Sequence, residues 1–142
     1  MKKYKYIVSS CLCGINCRYD GQNKLSGKVK KLVDDGLAIA VCPEELGGLQ
    51  TPRPPSENRQ GRYFTIDGED VTEQFQKGAQ LAALIAKENI CDTAILKSKS
   101  PMCGMDKVYD GNFSGSLVDG DGEFVKELKK LGITIVTEED IK

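Results

Sequence analysis

Short apolar runs alternate with helix-period segments along most of the chain. Residues 4–9 are apolar and partly β-branched, which reads as a first strand. A polar loop comes next, through Arg18-Tyr19-Asp20-Gly21. Ser26 is placed to cap a helix over 28–35, with Val29, Leu32 and Val33 on one face and Gly36 closing it. Leu37-Ala38-Ile39-Ala40-Val41 is unbroken apolar sequence, the pattern of a strand covered on both faces, and it stops at Cys42-Pro43-Glu44. Residues 47–61 are dense in Gly and Pro and read as a long irregular loop of the kind that carries function. Segments 62–66 and 69–71 flank Asp67-Gly68, a hairpin turn signal. Thr72 is then expected to cap a long helix reaching about Asn89, with Phe75, Ala79, Ala82, Ala83 and Ala86 among its apolar positions. Residues 93–97 form a third strand and lead into Ser98-Lys99-Ser100-Pro101-Met102-Cys103-Gly104. A Gly-rich polar stretch spans 109–122, a short amphipathic helix 123–131, and a last strand 133–136, with Thr137 capping a terminal turn.

Strands separated by helices imply parallel pairing through right-handed crossovers. The expected fold is therefore α/β. It is a small Rossmann-like three-layer sheet, mostly parallel, of about four strands, with an inserted hairpin and long Gly/Pro-rich loops. One domain over residues 1–142 accounts for the length, and no internal repeat is visible.

Charge narrows the function classes. Lys and Arg total 20 against 21 Asp and Glu, a net charge of −1, so neither a nucleic-acid footprint nor a polybasic membrane patch is expected. No apolar run reaches the roughly 18 residues of a membrane span, and the stretch after the basic start is too short for a signal-peptide core. A cytoplasmic protein is expected.

Two counts change the picture further. The chain has no His and six Cys. Lack of His excludes Ser-His-Asp and Cys-His catalysis, His-ligated zinc and His-held haem. General acid–base work must fall to Asp, Glu, Lys, Tyr or Cys. Six thiols in a reducing compartment argue against a disulfide framework and leave two readings, buried small hydrophobes or a soft-metal or redox site.

Position bears on the choice but leaves both readings open. Ligands of open parallel sheets sit beyond the carboxyl ends of the strands. Cys11 comes after the first predicted strand, Cys42 after the second and Cys103 after the third, so topology brings them to one edge. Three thiolates without an imidazole suit iron–sulfur or zinc. Cys13, Cys17 and Cys91 read as structural, with Cys17 also a candidate fourth ligand or resolving thiol. Glu44, two residues after Cys42, is the best acid–base candidate, with Glu45 expected to be exposed. Ser100 is placed to donate to a substrate or a cluster sulfide, or else to serve a purely local turn. Arg18, Arg53 and Lys97 read either as binders of an anion or flat heterocycle or as salt-bridge partners. No G-x4-G-K-[ST] phosphate loop occurs, and Asp119-Gly120-Asp121-Gly122 lacks the spacing of a calcium loop.

Three motifs together resemble the thiouracil desulfidase family. The first is Ser10-Cys11-Leu12-x-Gly14 with Arg18-Tyr19-Asp20-Gly21. The second is Val41-Cys42-Pro43-Glu44, then Gly47-Gly48-Leu49 and Pro52-Arg53-Pro54-Pro55-x-Glu57. The third runs from Leu96-Lys97 to Ser100-Pro101-x-Cys103-Gly104. The resemblance implies an oxygen-sensitive 4Fe–4S cluster held by Cys11, Cys42 and Cys103 with one open iron, and catalytic roles for Glu44 and Ser100. The implied reaction is non-redox desulfuration of a small thiocarbonyl heterocycle, a thiolated nucleobase such as a 2-thiouracil-like thiopyrimidine or a thiopurine, releasing sulfide. Met102 stands where a small Ser is common in the family, and Cys13 and Cys17 are extra thiols. The alternative is an iron–sulfur or zinc module sensing oxygen or sulfide without catalysis. A thiol–disulfide protein using Cys11 with Cys13 or Cys17 is disfavoured because no C-x-x-C is present.

Overall fold

Four short strands, each leading into a loop that gathers chemistry-bearing side chains, organise the chain. In the computed structural model, residues 3–141 are described; Met1 and Lys2 of the basic start, and Lys142, lie outside them. In chain order the elements are β1 (Tyr6–Ser9), a 3-10 turn (Ser10–Cys13), α1 (Gly27–Asp34), β2 (Ala38–Val41) and α2 (Pro43–Leu46). Next come β3 (Ser56–Arg59), β4 (Arg62–Thr65), α3 (Thr72–Glu88) and β5 (Thr93–Leu96). The chain closes with β6 (Lys107–Tyr109), β7 (Leu117–Asp119), α4 (Glu123–Lys130), β8 (Thr134–Thr137) and a final 3-10 turn (Glu138–Asp140).

The main sheet has the order β2-β1-β5-β8, and every pairing in it is parallel. Successive strand residues point to opposite faces. Ile7, Ala94 and Leu96 accordingly join one core cluster with Phe75, Ala79 and Ala82 of α3 and Phe124 and Leu128 of α4. Val8, Ala38 and Ile95 join a second cluster with Val29 of α1. The three-layer α/β architecture expected from the alternation is the one observed. Covered faces on both sides explain why these strands read as unbroken apolar runs. From β1 the chain first steps out to β2 and later returns on the other side to β5, so the crevice where strand order reverses opens beyond the carboxyl ends of β1 and β5.

Three expectations are corrected. The hairpin expected across Asp67-Gly68 is replaced by β3 and β4, antiparallel and joined at Gln60-Gly61, so part of the expected loop 47–61 is strand. Gln60 and Gly61 both have positive φ, the backbone that closes this turn. The Asp67-Gly68 turn exists, but only a single bridge between Phe64 and Asp70 extends from it. The stretch 109–122 likewise carries β7, which pairs with β6 in a second hairpin. The expected cap Thr72 is the first residue of α3; its hydroxyl instead accepts the N–H of Tyr63 at 2.9 Å, and Asp70 Oδ1 accepts the Thr72 N–H at 2.9 Å. Ser26 and Thr137 do cap, accepting from the N–H groups of Val29 and Glu139.

The seat of α2 on α3 is unusually close. A Cβ added at Gly47 would lie 1.9 Å from the carbonyl oxygen of Gln74, and one at Gly78 would lie 1.8 Å from that of Pro43. The two glycines let α2 rest backbone to backbone on α3, which fixes the turn carrying Cys42, Pro43 and Glu44.

Candidate active site

The crevice opens into a cavity of about 440 Å³. Cys11, in the 3-10 turn after β1, lines it, as do Cys42, between β2 and α2, and Cys103, in the turn after β5. The sequence places these three thiols at one sheet edge, and in the structure all three line this cavity. Cys17 joins them. It is buried, and its side chain contacts those of both Cys11 and Cys42. The Cys42 thiol also points at the Cys17 carbonyl, at 3.8 Å. Contact with Cys11 and burial push the Cys17 thiol up to about 12. Contact with Cys17 and burial push Cys42 up, and burial pushes Cys103 up while a hydrogen bond with Ser9 pulls it down. Cys13 and Cys91 stay apart: Cys13 points at the Ser9 carbonyl at 3.9 Å in the α1 cluster, and Cys91 is buried in the α3/α4 cluster. For Cys17 the structural reading favoured by the sequence thus gives way to a place beside the other cavity thiols. The signal for it lies in its neighbours, since Arg18 and Tyr19 belong to the same loop and line the same cavity.

Glu44 lies on α2 facing this space. The Nε of Arg53 donates to Glu44 Oε1 at 3.1 Å, and both side chains are largely buried. Arg53 is tied on every side: it donates also to the carbonyls of Cys17 at 3.0 Å and Gln50 at 3.0 Å, and to the Thr51 hydroxyl at 2.8 Å. Burial raises the Glu44 carboxyl above the usual range, and the Arg53 guanidinium opposes that shift. Arg53 therefore orients Glu44, with four of its five N–H donors committed within the protein. Glu45, its neighbour, is exposed as expected.

Ser100 opens the turn that carries Cys103. Its Oγ accepts the N–H groups of Met102 and Cys103, both at 3.1 Å, and its carbonyl accepts from Gly104 at 2.8 Å. The local turn role is thus real, yet the residue lines the cavity and the hydroxyl keeps its own proton to donate. Met102 is fully buried at this wall. Ser9 braces the same turn, its Oγ accepting the Lys97 N–H at 3.1 Å. Arg18 pairs with Asp20 at 3.6 Å, and Lys97 with Glu138 at 3.0 Å. All three cations singled out in the sequence are thus ion-paired.

Pro55, Ser56 and Glu57 around the first hairpin, and Tyr109, Phe113 and Gly115 of the second, complete the lining. Sulfur donors, a largely buried carboxylate and aromatic rings thus share one cavity. No group of three or more His, Cys, Asp or Glu among the described residues is arranged to hold a single metal ion. No helix among them is long and apolar enough to cross a membrane.

Comparison with known proteins gives one consistent result. The sequence model of the 2-thiouracil desulfurase family matches residues 6–140. The Bacillus subtilis (strain 168) protein YbbK, described as uncharacterized, is 41% identical over 145 residues, covering 95% of this chain and 96% of its own. A solved structure of the 4Fe-4S-dependent thiouracil desulfidase TudS superimposes with a TM-score of 0.92 at 41% identity, covering 98% of this chain and 93% of that one.

Proposed function

The chain belongs to the 2-thiouracil desulfurase family, and from that premise we propose that it is a C–S bond-cleaving enzyme that uses a 4Fe–4S cluster to desulfurate thiouracil. Cys11, Cys42 and Cys103 would hold the cluster and leave one iron without a protein ligand. Residues 1–142 act as one desulfidase domain. Six thiols, none in a disulfide among the described residues, suit a reducing cytoplasmic setting.

The observation that carries this reading is the convergence of Cys11, Cys42, Cys103, Glu44 and Ser100 on one cavity in a chain without His. The donor set fits the group. Thiols are soft ligands of the type that iron–sulfur clusters take. The cavity, about 440 Å³ against the roughly 30 Å³ of one water, is of a size to take more than solvent. When bound, the cluster supplies a Lewis-acidic iron for the thiocarbonyl sulfur.

The side chains account for the proton traffic. Net replacement of C=S by C=O consumes one water and releases one hydrogen sulfide, with no change of oxidation state. Glu44 takes a proton from the water that attacks the thiocarbonyl carbon. Arg53 keeps that carboxylate aimed and charged in a largely buried place. Ser100, whose Oγ is already an acceptor for two N–H groups, turns its hydroxyl proton toward the ring or the departing sulfur. A thiopurine presents the same thiocarbonyl and is a second substrate class to assay.

Reconstitution with iron and sulfide without oxygen, then an assay for uracil from 2-thiouracil, tests the proposal. Turnover is expected, with Glu44→Gln slower by about 10²- to 10⁴-fold at unchanged iron content. Ser replacements of Cys11, Cys42 or Cys103 should lower the iron count. A fully loaded chain that converts no thiopyrimidine or thiopurine would overturn the enzyme reading in favour of a sensor.

A further inference from the structure

The part of the cavity lining supplied by the two hairpins is built with more care than a surface loop needs. Glu57, buried on β3, turns its Oε1 to the N–H groups of Gly111 at 3.0 Å and Phe113 at 3.2 Å. Arg59, also on β3, donates through Nε at 3.2 Å and Nη2 at 2.9 Å to the Gly111 carbonyl. One hairpin thus grips the other by both polar groups of the same residue. Gly111 permits this approach, because a Cβ there would lie 2.5 Å from the Asn58 carbonyl oxygen, and its φ is +90°. The tip is held from within as well, with Asp110 accepting from the Asn112 N–H at 2.8 Å and the Ser114 hydroxyl at 2.9 Å.

What all this fastens is Phe113. Its φ is +54°, a left-handed backbone that bulky side chains avoid, and its half-buried ring lines the cavity. Strain of this kind persists where surrounding contacts over-determine it, and it clusters at ligand sites. A freely chosen loop would put Gly or Asn there. An aromatic residue held in an unfavourable conformation by a buried carboxylate, in the lining of the cavity that also takes in the sulfur donors, is a platform for a flat ligand.

We propose that Phe113 stacks on the face of the substrate's heterocyclic ring and selects cyclic thiocarbonyl compounds, with Glu57 as the residue that positions it. The inference rests on the desulfidase reading and deepens it, since it assigns the part of the substrate that never reacts. Stacking of a base on an aromatic side chain changes affinity by about 5- to 150-fold. The interaction is the same in ground state and transition state, so it appears in KM and not in kcat.

The test uses the reconstituted holoenzyme with 2-thiouracil. If the wild-type chain shows no turnover, the desulfidase reading fails; if it turns over, the Phe113 series judges this inference alone. Phe113→Ala is expected to raise KM by about 10-fold with kcat within about 3-fold, and Phe113→Trp to restore the wild-type KM. Glu57→Met, which has no oxygen to accept the two N–H groups, should raise KM similarly, and the double variant should be little worse than either single one, because both remove the same contact. Glu57→Met should also speed chymotrypsin cleavage after Phe113, a readout independent of turnover. A KM within about 2-fold of wild type in Phe113→Ala, or a loss confined to kcat, overturns the stacking role. Full additivity in the double variant, or unchanged cleavage in Glu57→Met, overturns the positioning role. Phe113 is only half buried, so its variants decide the stacking role even where Glu57→Met does not fold.

Discussion

The guanidinium of Arg53 spans from Glu44 Oε1, 3.1 Å from its Nε, to the carbonyl of Cys17, 3.0 Å from its Nη2. It thereby couples the proposed base to the loop that carries a cavity thiol. Removing one partner of a largely buried pair leaves the other charge uncompensated, at a cost of roughly 3–5 kcal/mol. Arg53→Met should therefore lower the denaturant midpoint of the cluster-free chain by the equivalent of about 3 kcal/mol, with an unchanged slope. Adding Glu44→Gln should recover part of that loss. An Arg53→Met chain as stable as wild type would show that the pair does not hold the site together.

Gly78 sits inside α3, where Ala is ordinarily the better residue by about 0.5–1 kcal/mol. Here the sign reverses. A methyl group would lie 1.8 Å from the Pro43 carbonyl oxygen and push α2 off its seat. Gly78→Ala should destabilise by about 1–3 kcal/mol, the scale of an overpacked core, and lower iron incorporation by displacing Cys42. Gly27→Ala is the control, since nothing lies within 4 Å of a Cβ at that exposed position. Chemical denaturation of both variants, with an iron count on reconstituted chains, measures the contrast.

Glu138 makes stability depend on acid. Burial raises its carboxyl, but the Ser98 N–H at 2.7 Å, the Ser98 hydroxyl at 3.0 Å and the Lys97 ammonium at 3.0 Å win, and the net shift is downward. A carboxyl lower in the folded chain than in the unfolded one stabilises above its unfolded value, near about 4.3, and loses that contribution as pH falls through the folded value. Glu138→Gln should thus be less stable than wild type at about pH 6 and converge with it toward about pH 3, as measured by thermal unfolding across that range. Parallel curves would show that the carboxylate charge contributes nothing.

The sheet is legible in the sequence because burial on both faces leaves an unmistakable apolar run, as in Leu37 to Val41, and because Gly36 and Gly132 mark helix ends locally. The hairpins are not. β3 reads Ser-Glu-Asn-Arg, polar throughout, and forms because Glu57 and Arg59 satisfy the second hairpin's backbone, more than 50 residues away in sequence. Arg53 is recognisable as a possible salt-bridge partner, but nothing local points it at Glu44. Cys17 resembles a structural thiol in the sequence because its route back to Cys11 and Cys42 depends on how the loop after β1 folds.

By itself the amino-acid order determined the layered parallel scaffold, the lack of imidazole chemistry, and the edge at which Cys11, Cys42 and Cys103 emerge. Those properties come from side-chain periodicity and residue type, which are local. Only the tertiary structure decided that Cys17 stands with them, that Arg53 anchors Glu44, and that a strained Phe113 lines the same cavity as the thiols. These are contacts between distant segments, and their geometry is set by backbone approach, at Gly47, Gly78 and Gly111 above all.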